Sequence, residues 1–148
     1  MKSKILLRIA AGLIFIHALG HTMGHINWKH AALPAKQEVI DQMTDHKFPF
    51  MGTSRSMGEY YEGYGYASTL ALLFITVVVL IVSGHITDNV SLSRKLLISA
   101  AIILFAWGID ELIFFFPFAA GFSIIAGVLI VIATLNLNRK NFIQGTGK

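Results

Sequence analysis

Four long apolar runs, Ile5 to Ile26, Tyr60 to Ser83, Leu96 to Phe116 and Phe118 to Leu137, constrain this chain more than any other feature. A hydrocarbon core about 30 Å thick is crossed by roughly 20 apolar residues in helical form. Inside it no water is present to satisfy backbone N–H and C=O groups, so each run is predicted to be a transmembrane α-helix. The expected architecture is all-α: an integral membrane four-helix bundle, with residues 1–148 forming a single transmembrane domain. Composition points the same way, with 55% hydrophobic and only 14% charged residues and a mean hydropathy of +0.65. An ordinary soluble domain carries about 25% charged residues, so a soluble enzyme domain is excluded. The chain has no cysteine, which excludes disulfides, thiolate metal sites and thiol redox chemistry. Its net charge of +4 does not indicate nucleic acid, because the basic residues sit at span boundaries and form no stripe.

Those boundary residues predict orientation. Lys2, Lys4 and Arg8 open the first span, Arg94 and Lys95 separate the second from the third, and Arg139, Lys140 and Lys148 follow the fourth. The positive-inside rule then places both termini and the connection between the second and third spans on the cytoplasmic side. The connection 27–59, which mixes Lys29, Lys36, Lys47 and Arg55 with Glu38, Asp41, Asp45 and Glu59, is expected outside. A cleaved signal peptide is the rival reading of the start, but a histidine periodicity runs straight through the would-be cleavage point at Ala18 and Gly20. Within the outer connection Pro34 suits a first helical turn, and Val39, Ile40, Met43 and His46 recur at helix-face spacing, predicting a short interfacial helix. Phe48, Phe50 and Met51 read as an apolar anchor at headgroup level, and Ser56-Met57-Gly58-Glu59 as a capping box opening the second span. The uncharged stretch from Phe114 to Gly121 reads as a hairpin held near the outer interface.

Polar residues inside the spans are the candidates for function, since ionisable side chains at membrane depth are costly and face a bundle interior or wet cavity. His17, His21 and His25 recur every fourth residue, an advance of about 400° that stacks them with a drift of about 40°. The bland account is cross-helix hydrogen bonding worth on the order of 1 kcal/mol per contact. Gly20 and Gly24 are read as close-packing residues. In the third span Trp107-Gly108-Ile109-Asp110-Glu111 carries two adjacent carboxyls, at a helical height matching His21. Neighbouring residues diverge by about 100°, so one of the two faces the histidines, and Asp110 is the choice taken here over Glu111. At the start of the second span Glu59, Glu62 and Tyr66 share a face, with Arg55 placed to neutralise Glu62. Tyr60 and Tyr61 read as an interfacial belt, and His85 as a boundary residue. The concentration of these groups in the outer half predicts a partly polar pocket, with His21, Asp110 and Glu62 as acid/base candidates. His17, His25, Tyr66, Trp107, Glu111 and Arg55 are its candidate ligand-binding residues.

The strings His17-Ala18-Leu19-Gly20-His21-Thr22-x-Gly24-His25 and Phe50-Met51-Gly52-x-Ser54-Arg55-Ser56-x-x-x-Tyr60-x-x-Gly63-Tyr64-Gly65 resemble a family of small four-span bacterial membrane proteins without an established function. The resemblance covers roughly the first half of the chain and implies four spans without supplying chemistry. In that family the stretch after Ser-Arg-Ser is more aromatic and less acidic than it is here at Glu59 and Glu62.

Three functions compete at this point. The first is binding or acid/base transformation of a small lipophilic molecule, resting on a carboxyl and an imidazole in an apolar site. The second is a structural or accessory role, or a proton-linked one, in which the stripe is a relay or a partner contact. A four-span transporter would require assembly into a homo-oligomer. The third is metal or haem binding, with His21 and His25 at i, i+4 spacing as ligands. Membrane lipids are the expected surroundings in all three.

Overall fold

The computed structural model describes residues 2–145, with side chains described through Leu137. Arg139, Lys140 and Lys148, used above for orientation, lie outside the described side chains. The described residues form helices α1 (Lys2–Ile26), α2 (Pro34–Asp45), α3 (Met57–His85), α4 (Val90–Phe114) and α5 (Pro117–Gly145). Strands β1 (Lys47–Phe50) and β2 (Thr53–Ser56) lie between α2 and α3. Four of the helices, α1, α3, α4 and α5 as far as Leu137, are long and apolar enough to cross a membrane. The chain is thus all-α in class and built as a multi-pass membrane protein.

The helix ends follow local chemistry. Ser56 and Glu59 form the anticipated capping box at the start of α3: the Glu59 N–H donates to Ser56 Oγ at 3.1 Å, and the Ser56 N–H donates to Glu59 Oε2 at 2.7 Å. Asn89 caps α4 by accepting from the Leu92 N–H at 3.0 Å. Between α4 and α5 the reversal is short, because the residue before a proline is pushed out of helical backbone while proline itself suits a first turn. Phe116 and Pro117 hold those two positions.

Two compact units are present: Met1–His17 with Leu72–Lys148, and Ala18–Ala71. The first is a bundle with segments of all four long helices. Its core is lined by Leu7, Ala10, Ala11 and Ile14 of α1, Leu72 and Val79 of α3, Leu97, Ala100, Ala101 and Leu104 of α4, and Ala120, Ala126 and Ile130 of α5. Small residues point inward while Phe74, Ile81, Ile102, Ile113 and Ile125 point out. Lipid is as apolar as leucine, so helices in a bilayer associate through close van der Waals packing, which small residues permit. The tightest approach joins α4 to α5, where a Cβ on Gly108 would lie 2.7 Å from Ile124 Cγ1.

The second unit holds the middle of the chain. Helix α2 is the interfacial helix anticipated from Pro34, and it buries Ile40 with Met43 and Thr44 half-buried. Val39 and His46, read from spacing as part of the same face, are exposed, and His46 ends the helix as its C-cap. Gln37 ties the helix to the preceding loop, accepting from the Ala31 N–H at 2.8 Å and donating to the Lys29 carbonyl at 3.1 Å. Phe48, Phe50 and Met51, read as an apolar anchor, are exposed on an antiparallel β-hairpin that spacing did not predict, pairing Lys47 with Ser56 and Phe50 with Thr53. Its two-residue turn has positive φ at both Met51 (47°) and Gly52 (82°), the combination that matches the twist of two paired strands.

The close approach at Gly108 sets a packing test. Gly108→Ala forces Ile124 to shift, and overpacking of this kind costs about 1–3 kcal/mol. Unfolding of the variant in detergent is expected at correspondingly lower denaturant, while Gly12→Ala, with open space around its Cβ position inside α1, does not lower the midpoint.

Candidate functional site

In the bundle unit one polar cluster interrupts the apolar core. His17 of α1, Glu111 of α4 and Ser123 of α5 are 5%, 4% and 1% exposed. His17 Nε2 lies 2.8 Å from Glu111 Oε1, and Ser123 Oγ donates to Glu111 Oε2 at 2.9 Å. The same Ser123 Oγ is 3.3 Å from His17 Nδ1. The three side chains therefore close a ring in which each touches both others, and the Phe122 ring stacks on His17 at 5.9 Å between centroids. A buried polar group left unpaired costs about 1–3 kcal/mol, more if charged, and the ring gives its nitrogens and both carboxylate oxygens a partner.

These are the residue types of a nucleophilic triad, but the connectivity differs. In such a triad the serine touches only the imidazole and exposes its oxygen to an acyl group. Here the serine hydroxyl is committed to the carboxylate and is buried.

This corrects the choice of carboxyl. Asp110 is exposed, and Glu111 faces the core. The buried positions of α4 run Ser93, Leu97, Ala100, Ala101, Leu104, Gly108, Glu111, at steps of three and four apart from the adjacent Ala100 and Ala101, and Asp110 falls outside that series. The small residues Ala100, Ala101 and Gly108 mark the inward face and are the signal that identifies Glu111. Ser123 was not singled out from sequence, nor was Thr69 or Trp28.

The second unit receives the other two histidines. His21 is half-buried, with Nδ1 at 3.3 Å from Thr69 Oγ1. Thr22 Oγ1 sits 3.1 Å from the same Thr69 oxygen and donates to the Ala18 carbonyl at 2.7 Å. His25 is 6% exposed and stacks on His21, with centroids 6.4 Å apart and planes 18° from parallel. Its other neighbours are Tyr66, edge-on at 4.8 Å, and Tyr61 at 6.2 Å. Tyr61 also packs against Trp28 at 4.8 Å. The His25 ring occupies the space a side chain at residue 65 would fill, so Gly65 is what lets α3 approach it. Within this aromatic group His25 Nε2 and Trp28 Nε1 are buried without a hydrogen-bond partner among the described residues.

The acidic start of α3 is arranged differently from expectation. Glu62 pairs with Lys29 at 2.8 Å, not with Arg55. Arg55 instead reaches Glu59 at 3.2 Å, and Lys47 lies 3.8 Å from the same carboxylate. All these partners are substantially exposed, and surface pairs of this kind contribute about 0–1 kcal/mol. Glu59, Glu62 and Tyr66 do share a face: with Arg55 they line a shallow, open groove along α3. Trp107 is half-buried on α4, and His85 is exposed, its Nδ1 at 3.1 Å from the Ile81 carbonyl oxygen. For metal binding, His21 and His25 stack face to face without converging, and among the described residues no group of three or more His, Cys, Asp or Glu side chains is placed to hold an ion.

No protein-family model matches this chain, and neither a curated protein nor a solved structure matches it.

The two clusters generate separate tests. Removing one member of a buried ion pair costs about 3–5 kcal/mol, so Glu111→Ala is expected to lower the unfolding free energy in detergent by that amount. Asp110→Asn, on the exposed face, should stay within about 0.5 kcal/mol of the parent. In the other unit, Gly65→Ala must displace the His25 ring, read as a change in the His25 imidazole resonances with little effect on those of His17.

Proposed function

We propose that this chain is a multi-pass protein of the bacterial inner membrane, with cytoplasmic termini, that binds a small lipophilic molecule carrying a hydrogen-bond-accepting oxygen. The observation that carries this reading is the pair of buried, unpartnered atoms His25 Nε2 and Trp28 Nε1 within one aromatic cluster. Buried polar groups in folded proteins are almost always paired, and a pair of orphans in one place is what a binding site looks like without its ligand. An indole N–H only donates, so the complementary group must accept; an imidazole nitrogen donates or accepts according to its tautomer. Tyr61, Tyr66 and the stacked His21 ring surround the site with flat apolar surface, which suits a conjugated or isoprenoid carbonyl compound. His25 can also pass a proton to such a carbonyl, which keeps acid/base transformation within the same reading. The likeness to small four-span bacterial membrane proteins fits this topology and adds no chemistry.

A structural or accessory role is the second reading, favoured by the His17–Glu111–Ser123 ring. Its members satisfy one another and leave no edge for a substrate, as a clamp holding three helices would.

The chain has two tryptophans, so Trp107→Phe leaves Trp28 as the sole indole reporter. In lipid nanodiscs, decylubiquinone added as a carbonyl-bearing probe is expected to quench Trp28 fluorescence saturably. A hydrogen bond contributes about 0.5–1.5 kcal/mol, so His25→Phe, which keeps a ring and removes the nitrogens, should weaken that binding up to about tenfold. Quenching that rises linearly with quinone in the bilayer and ignores His25→Phe would overturn the binding reading.

A further inference from the structure

The ring in the bundle unit can be counted proton by proton. The contact of His17 Nε2 with Glu111 Oε1, at 2.8 Å, needs one hydrogen between two atoms that otherwise present lone pairs to each other. The Ser123 hydroxyl hydrogen is spent on Glu111 Oε2. The third contact, Ser123 Oγ to His17 Nδ1, then needs a hydrogen of its own, and it must come from Nδ1, because the serine has no second one to give. Three contacts require three hydrogens. A neutral imidazole and a serine hydroxyl supply two, and an ionised carboxylate supplies none.

We infer that His17, Glu111 and Ser123 form a binding site for one proton, held inside the bundle and shared along the His17–Glu111 edge. With that proton bound the ring is electrically neutral, whether it is written as imidazolium and carboxylate or as imidazole and carboxylic acid. Without it one contact loses its hydrogen and the ring carries a net negative charge at a place nearly closed to solvent.

Among the described residues of the bundle unit no lysine or arginine lies close to the ring along its own helix, and His21, one turn beyond His17 on α1, is engaged by Thr69. On α1 the charged residues of this unit are Lys2, Lys4 and Arg8, the nearest nine positions before His17. The titratable group of α3 in this unit is His85, at that helix's last residue, and Asp88 follows in the turn. On α4, Arg94 and Lys95 lie sixteen or more residues before Glu111, and Asp110 is exposed and of the wrong sign. Helix α5 has no charged or histidine residue from Pro117 to Leu137. Uncompensated charge at membrane depth is costly, so neutrality by a bound proton is the state this packing accommodates. The site lies in the bundle unit, and its occupancy does not depend on whether the other unit binds a lipophile.

Replacing the carboxyl with its amide gives the test. In Glu111→Gln the three contacts close with no extra proton in either orientation of the amide: Nε2–H donates to the amide oxygen, the NH₂ to Ser123 Oγ and the serine to Nδ1, or the NH₂ donates to Nε2, the serine to the amide oxygen and Nδ1–H to Ser123 Oγ. Nitrogen-15 NMR of the full chain in nanodiscs, with His17 assigned by its loss in His17→Gln, reads which ring nitrogen carries hydrogen. At neutral pH the native protein is expected to show a proton on Nδ1 of His17 and a second hydrogen on the His17–Glu111 edge, seen as a protonated Nε2 or, by carbon-13 NMR, as a protonated Glu111 carboxyl, whereas Glu111→Gln shows hydrogen on one ring nitrogen only. A bare Nδ1 in the native protein at that pH would overturn the proposal without recourse to any variant. An ionised Glu111 facing a bare Nε2 in the native protein, or hydrogen on both ring nitrogens in a folded Glu111→Gln, would overturn it equally, because the extra proton would then be absent or would not belong to the carboxyl.

Discussion

A bilayer interior has no water with which to finish an incomplete hydrogen bond, and the His17–Glu111–Ser123 ring is this chain's answer to that constraint. The ring in turn places a demand on the packing around it. Serine has the shortest hydroxyl side chain, and Ser123 can touch both a histidine of α1 and a glutamate of α4 only if the backbones come close. Ala100, Ala101, Gly108, Ala120 and Ala126 remove the bulk that would hold those helices apart. Small residues and polar ring are thus one arrangement: the first permits the approach, and the second fixes which faces meet. Thr76 and Thr134 show the alternative for a lone hydroxyl, each donating back to the carbonyl four residues earlier at 2.9 and 2.8 Å and requiring nothing of a neighbour.

The part of the chain between Ala18 and Ala71 obeys looser rules. Its ion pairs, Lys29 with Glu62 and Arg55 with Glu59, are exposed and tie neighbouring segments with little energy. Order there comes from local devices: the reciprocal cap at Ser56 and Glu59, the turn at Met51 and Gly52, and the Gln37 amide. The aromatic group of Trp28, Tyr61 and Tyr66 encloses the buried His25 ring, and among the described residues it is where buried side-chain polar atoms remain unmatched.

Much of the fold was legible because membrane-crossing length is written in consecutive residues. The four spans, the helix opening at Pro34 and the cap at Ser56 each depend on a few neighbours, and each is found within a few positions of where spacing put it. The hairpin at 47–56 was missed because only Gly52 signals its turn; Met51 adopts a positive φ that its side chain does not advertise. The wrong carboxyl was chosen for a deeper reason. These helices are apolar on every side, so no hydrophobic stripe tells which face is inward, and the height of Asp110 along its helix was used where its angle mattered. Ser123 and Thr69 escaped notice because a single hydroxyl in a span costs little and usually satisfies itself. The histidine stripe was correctly seen as polar and buried in part, but its members serve different clusters.

The three contacts of the ring differ greatly in how much chain they enclose. Glu111 and Ser123 are twelve residues apart, joined by a tight reversal, whereas His17 and Ser123 are separated by 106. Closing a short loop costs less conformational entropy than closing a long one, so the α4–α5 hairpin can pre-assemble its serine and carboxyl as a half-built receptor. Helix α1, which precedes α4 and α5 by the length of α2 and α3, therefore waits for its partners. Its imidazole is satisfied only once α4 and α5 are both present, so the ring closes across its longest stretch of chain last.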